Sequence, residues 1–282
     1  MRPLTKALGV VVAALVIVSA AGLWQFDRFL DSSVNVPGEG TSFEIAPGTP
    51  FARVSEGLAE QGIISNPSLL RIYARFSGKA GSVHAGEYFI ESGTTTAGLM
   101  DQFTSGDVLL YSFTIVEGWN HWELLRALHA HPQIDAQLSE EDWPALLDEL
   151  GAETVHPEGL FLPETYRFPR NTSDRTVLKQ AYQLMQEVLG EEWPHRAEDA
   201  PVATPYEALI LASIVEKETA RVDERNRIAG VFARRLGKRM RLQTDPTVIY
   251  GIGPGFNGNL TRRDLRTDTP YNTYTRGGLP PT

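Results

Sequence analysis

Apolar and polar positions divide the chain into three stretches. Ala7 to Trp24 (ALGVVVAALVIVSAAGLW) runs 18 positions without a charge. As a helix rising 1.5 Å per residue it would span about 27 Å, close to the thickness of a bilayer core. Val36 to Ser42 (VPGEGTS) is rich in Pro and Gly and has no apolar period, which predicts a linker, with folding from about Phe43. An aromatic-x-Ile-x-x-Gly pattern then occurs three times, at Phe43–Gly48, Tyr88–Gly93 and Phe113–Gly118. Alternation makes each copy a short half-buried strand closed by a glycine turn. Helical periods follow, through Val54 and Leu58, then Leu99, Met100 and Phe103, then Leu124, Leu125 and Leu128. The copies are too unevenly spaced for a solenoid, so the unit reads as strand–turn–helix grammar within a small α+β domain.

Tyr206 to Val222 (YEALILASIVEKETARV) carries the strongest helical pattern, and Thr204-Pro205 ahead of it forms an N-cap and first-turn pair. At 100° per residue, Leu211, Ile214, Val215 and Val222 lie within about 60° of their mean direction, and Glu218 falls among them. A carboxylate on an apolar stripe loses solvation, which disfavours its charge and suits a proton donor. A structural ion pair with a buried Arg225 is the alternative reading of the same position. Three further clusters carry chemistry-bearing residues. Glu158 and Glu164 bracket an apolar run ended by Pro163, which fits an edge strand with solvated ends. Gln243 and Asp245 stand at what reads as a strand end, with Asp245 held extended by Pro246. Tyr271-Asn272-Thr273-Tyr274 offers aromatic faces beside an amide, a mixture that suits a sugar, although an Asn-capped turn explains it equally well.

Composition narrows the partners. With 35 acidic against 26 basic residues the formal net charge is −9, so nucleic acid is not expected as a partner. The absence of cysteine removes disulfides, thiolate nucleophiles and cysteine-ligated zinc. Nine acidic residues and no Lys or Arg lie between Pro132 and Tyr166, whereas eight basic residues crowd Arg221–Arg241. The two surfaces either attract each other or leave a basic rim for an anionic substrate. Arg2 and Lys6 precede the apolar segment and Asp27, Arg28 and Asp31 follow it, which directs the start to the cytoplasm and the rest outward. A retained anchor is favoured over a cleaved signal peptide because the apolar run continues to Trp24 past Val18-Ser19-Ala20. Gly253-x-Gly255-x-x-Gly258 lacks the long helix of a dinucleotide fold, and Ser213-Ile-Val-Glu216 lacks the lysine of a serine acyl enzyme. The six histidines show no ligand spacing, so no metal site and no cofactor are expected.

LASIVEKET (Leu211–Thr219), RLQTDPTVIYG (Arg241–Gly251), YNTY (Tyr271–Tyr274) and GLPP (Gly278–Pro281) together closely resemble the endolytic murein transglycosylase family, the YceG-like proteins. EGLFLPETY (Glu158–Tyr166) looks like a variant of another stretch of that family. The resemblance covers nearly the whole chain. It implies an α+β fold with a single N-terminal transmembrane helix in the inner membrane and a periplasmic remainder. Residues 1–42 would be cytoplasmic stub, anchor and linker, 43–116 a LysM-like subdomain, and 117–282 the catalytic domain. The implied reaction cuts the β-1,4 bond between N-acetylmuramic acid and N-acetylglucosamine within nascent peptidoglycan and closes a 1,6-anhydro ring, which limits glycan strand length. Glu218 matches the family's catalytic acid/base. Glu158, Gln243, Asp245, Tyr271 and Asn272 match motif positions around its cleft and take substrate-binding or orienting roles. The family extends beyond GLPP, so the resemblance also implies that part of the catalytic domain is missing after Thr282. Two alternatives stand beside it: a non-catalytic peptidoglycan-binding scaffold for cell-wall synthases, and a hydrolytic muramidase pairing Glu218 with Glu158.

Overall fold

A computed structural model describes the backbone from Arg2 to Thr282 and side chains from residue 11 onward. The Arg2 and Lys6 side chains, which carry the orientation argument, lie outside the described residues. The protein is 51% helical and 10% strand, and among the described residues its strands pair two by two. It is a mixed α and β fold in which helices supply most of the packing surface. Two compact units divide it, one up to Tyr111 and one from Ser112 to Thr282.

The first unit begins with α1 (Arg2–Asp31), of which Val11–Asp31 is long and apolar enough to cross a membrane. Next come β1 (Gly40–Ile45), α2 (Phe51–Glu60), α3 (Pro67–Phe76), β2 (Gly86–Glu91) and α4 (Thr96–Ser105). β1 and β2 pair antiparallel with Phe43 opposite Tyr88. The first two aromatic-x-Ile copies therefore lie side by side, and Phe43, Ile45, Tyr88 and Ile90 are all buried. Leu58, Leu99, Met100 and Phe103 close the core from the helices, and the Phe103 ring lies 4.7 Å from that of Tyr88. The Tyr88 hydroxyl donates to the carbonyl of His84 at 2.8 Å, so its burial leaves no polar atom stranded.

Order begins earlier than the predicted linker allows. Phe29 and Val34 are buried in the core of the first unit and Val36 packs against it. The Thr96 N–H donates to the carbonyl of Ser32, and the Val34 N–H to that of Thr94. β1 already starts at Gly40, which sits opposite Glu91. A side chain at Gly40 would collide with the Ile90 carbonyl at 2.5 Å, so this glycine serves close strand approach rather than flexibility.

β3 (Leu110–Thr114) leads into the second unit, which holds α5 (His121–Ala130), β4 (Ile134–Asp135), α6 (Trp143–Glu149), β5 (Thr165–Pro169), β6 (Thr172–Ser173), α7 (Asp174–Glu192), α8 (Pro205–Glu218), α9 (Val222–Gly237) and α10 (Asp245–Ile252). The third pattern copy is again strand, turn and helix: Phe113 and Ile115 are buried, Gly118 turns at φ +77°, and α5 follows. Asn120 and Glu123 form a reciprocal capping box at the start of α5. α8 opens as the sequence predicts, with the Thr204 side chain accepting from the Glu207 N–H and Pro205 in the first turn. Ile210, Ile214 and Val215 of α8 pack with Phe232 and Leu242 as a small second core.

Candidate active site

The α8 stripe does not continue to Glu218 as the periodicity suggests. The helix ends at Glu218, and Thr219 departs with φ −145° and ψ 133°. Val215 is the last buried apolar residue of the stripe; Glu218 itself is exposed, and Val222, beyond the break, is 72% exposed. Burial of Glu218 is thus corrected: periodicity projects a stripe past the point where the chain stops being helical. The Arg225 pairing also falls elsewhere, on Glu216 at 2.8 Å. Glu218 instead accepts a hydrogen bond from the hydroxyl of Thr244 at 2.7 Å. It stands at the C-terminal end of α8.

Thr244 belongs to the stretch read as a strand end, which the structure makes a helix start. Asp245 opens α10 and Pro246 sits in its first turn, where a missing N–H costs nothing because that donor has no intrahelical partner. Gln243, just before, holds φ +52°, a left-handed conformation that strains a residue with a side chain. The Gln243 N–H donates to the Thr273 carbonyl at 3.1 Å, and Arg235 from α9 donates to the Leu242 carbonyl at 2.6 Å. Asp245 is exposed and accepts from the Tyr274 hydroxyl at 2.6 Å. Glu218, Thr244, Asp245 and Tyr274 thus form one polar cluster. Tyr274 senses it, its hydroxyl pushed up to about 12 by burial, by the Asp245 hydrogen bond and by the Asp245 and Glu218 charges.

The other matched residues lie apart from that cluster or beneath it. Asn272 is 1% exposed, and its amide nitrogen donates to the carbonyls of Asp264, Leu265 and Thr267, while its oxygen accepts from the Tyr274 N–H. Its polar atoms are committed to shaping the loop that presents Tyr274, not to a ligand. Asn272→Ala strands these loop groups and is expected to cost about 2–3 kcal/mol, read by denaturant unfolding.

Glu158 lies in an irregular segment ahead of β5 rather than in an edge strand, and only 17% of its side chain is exposed. One oxygen accepts from the His121 backbone N–H at 3.3 Å, from His121 Nδ1 at 3.0 Å and from the Tyr250 hydroxyl at 2.8 Å. The carboxylate therefore seats the N-terminus of α5 and ties it to α10. It lines a cavity of about 640 Å³ with Trp119, His121, Trp122, Tyr206, Tyr250 and Tyr271; Glu216 and Lys217 of α8 also line it, Glu218 does not. Tyr271 reaches its place because Gly251 has no side chain: a Cβ there would lie 2.8 Å from that of Tyr271. The six-candidate set thus divides between an exposed cluster (Glu218, Gln243, Asp245), an aromatic cavity (Glu158, Tyr271) and a buried strut (Asn272). His121, Tyr250, Thr244 and Tyr274 complete these groups; the local pattern marks Tyr274 as an aromatic face but shows none of the four partners, because each is acquired across at least 26 residues of chain.

Burial pushes several hydroxyls above the ordinary tyrosine value of 10.0. Tyr166 and Tyr206 move to about 12, each reinforced by a nearby glutamate, and Tyr250 moves up through burial and then the Glu158 charge. The folded chain therefore holds protons that the unfolded chain releases. The associated stability is fully present below pH 10 and drains away as pH rises towards about 12. Denaturant unfolding at stepped alkaline pH, with tyrosinate absorbance recorded alongside, should show this decline together with a late-ionising set of tyrosines.

No group of three or more metal-ligating side chains converges among the described residues. The profile of the YceG-like family matches residues 43–282. An endolytic murein transglycosylase of Bacillus subtilis is 28% identical over 258 residues, covering 85% of this chain and 71% of that protein. One of Streptococcus pneumoniae is 25% identical over 302 residues, covering 95% of this chain and 54% of that protein, so the chain spans about half its length. The crystal structure of a YceG-like protein from Listeria monocytogenes superposes with a TM-score of 0.53 at 26% identity, covering 86% of this chain and 85% of that one. With a match that runs from residue 43 to residue 282, the chain belongs to the YceG-like family.

Proposed function

We propose that the protein is a membrane-anchored endolytic lytic transglycosylase of peptidoglycan, with Glu218 as its acid/base. The names of the Bacillus and Streptococcus relatives support the activity class. The observation that carries the assignment is that Glu218 is exposed at the end of α8 with a hydroxyl donor, Thr244, on one oxygen. A carboxyl group so placed is open to a polymer that no closed cavity would admit.

In the proposed reaction the Glu218 carboxyl protonates the oxygen that leaves C1 of N-acetylmuramic acid, and the C1–O bond breaks. The same carboxylate then accepts the proton of the sugar's 6-hydroxyl as O6 bonds to C1, which closes the 1,6-anhydro ring and returns Glu218 to its protonated form. One carboxylate serves both steps because the nucleophile is tethered to the reacting sugar and needs no second base. Thr244 orients the Glu218 carboxyl, while Gln243 and Asp245 bind sugar hydroxyls beside it. Tyr271, within the aromatic cavity, offers a ring face to a more distant sugar.

In the same reading α1 holds the chain in the inner membrane with the rest in the periplasm. The β1-α2-α3-β2 order supports a LysM-like subdomain that guides glycan strands, and cutting them limits strand length. The direct test is mass spectrometry of glycan strands digested by the full chain. The expected products end in 1,6-anhydro-N-acetylmuramic acid; free reducing ends point to the hydrolytic muramidase, and intact strands that remain bound point to the scaffold.

A further inference from the structure

The first unit presents an unpartnered apolar face at the point where α1 leaves the membrane. Leu70 and Ala74 of α3 are buried in the core, whereas Ile72 and Phe76, one turn apart on the outer side, are 45% and 87% exposed. Between these faces lies Tyr73, whose ring meets that of Phe26 on α1 at 6.4 Å, edge on. Phe26 follows Trp24 by only about 3 Å of helix rise. Trp24 is 62% exposed beside Leu23 at 70%, and Arg28 lies over the Trp24 ring at 4.9 Å. An exposed Trp with an Arg one turn beyond is the pattern of a helix crossing the headgroup layer.

α1 is also fastened to this unit rather than tethered by a loose segment. Phe29 is in the core and the carbonyl of Ser32 accepts from the Thr96 N–H. The Tyr73 contact therefore holds α3 at the depth of the Trp24 belt, and the next turn of α3 carries Phe76.

We propose that the Ile72–Phe76 face of α3 is a second membrane contact, inserted among the lipid headgroups of the leaflet from which α1 emerges. It rests on the reading of α1 as a membrane anchor. The occupant is lipid rather than another protein because the face is continuous, through Tyr73 and Phe26, with the lipid-facing surface of α1. The attraction rests on the apolar side chains of Ile72 and Phe76: Arg71 pairs with Glu56 and Lys79 with Asp101, while Arg75, exposed beside Phe76, adds a cation suited to the headgroup layer. Such a contact would hold the first unit against the bilayer instead of letting it swing on its anchor.

The chain has no cysteine, so single introduced cysteines give unique spin-label sites in the full protein. Leu15→Cys, Ile72→Cys and Ala52→Cys variants, all at exposed positions, are reconstituted in phosphatidylcholine vesicles. Each label is then compared for collision with oxygen, which concentrates in lipid, and with a water-soluble nickel complex. The label at position 15 should read as deep in lipid in any case; if it does not, the anchor reading fails. With that label immersed, the proposal expects an oxygen-to-nickel ratio at position 72 several-fold above that at position 52. It also expects Phe76→Asp, added to Ile72→Cys, to return the ratio to the position 52 level. A water-exposed label at position 72 overturns the proposal, as does a label shielded from both reagents, which would mark a protein partner. A ratio that survives Phe76→Asp overturns it as well.

Discussion

Glu218→Gln should stop the release of 1,6-anhydro ends while leaving the folded state almost untouched. Glutamine is isosteric with glutamate, and its carbonyl oxygen can still accept the Thr244 hydroxyl that lies 2.7 Å from the Glu218 carboxylate. The side chain is exposed, so no core contact is lost and stability should change by less than about 0.5 kcal/mol. What disappears is a proton that can be given and taken back. General acid–base catalysis contributes typically about 10² to 10⁴ in rate, and here one group serves both steps, so the upper part of that range is expected. Rates come from mass spectrometry of glycan digests, and unfolding curves run in parallel guard against a trivial loss of fold. Anhydro ends released at the unmodified rate by a well-folded variant would remove Glu218 from the mechanism.

Loss of the Glu158 carboxylate should act mainly on stability. In Glu158→Ala the His121 backbone N–H, His121 Nδ1 and the Tyr250 hydroxyl lose a common acceptor in a largely buried setting. Stranding donors of a charged hydrogen-bond hub costs on the order of 3 kcal/mol, somewhat less where water re-enters the cavity. For a domain the size of the second unit, that corresponds to a melting temperature lower by about 10 °C. The muramidase alternative makes the opposite forecast, since a second catalytic acid could be removed with a large fall in rate and little change in melting temperature. Calorimetry and product analysis on one protein preparation separate them. An unchanged melting temperature together with lost activity would move Glu158 into the chemistry.

Glu218 and Asn272 show how differently two matched residues can stand. Both lie in stretches resembling one family, and both attract attention as polar groups among apolar neighbours. Asn272 proves to be a strut, its amide absorbed by the carbonyls of Asp264, Leu265 and Thr267. No local pattern separates an amide that caps a loop from one that grips a sugar, because the two differ only in which groups fold back onto them. The acidic and basic stretches give the same lesson. Two of the eight basic residues pair close by, Arg225 with Glu216 and Arg221 with Asp223, rather than with the acidic run at Pro132–Tyr166.

Elements governed by short-range physics were legible from residue order alone. The three aromatic-x-Ile strands, their glycine turns at Gly48, Gly93 and Gly118, the buried positions of the helices that follow and the Thr204 cap all depend on neighbours within a few residues. So does the apolar length of α1. Tertiary structure alone decided that β1 and β2 pair, that Phe29 and Val34 join the core, and that Asp245 begins a helix. It also decided that Glu218 faces solvent while Glu158 is enclosed. Periodicity reports which side of a helix is apolar, but exposure depends on where the helix stops and on what distant segment arrives to cover it. At the end of α8 the group that reaches Glu218 is Thr244, and it brings a hydroxyl.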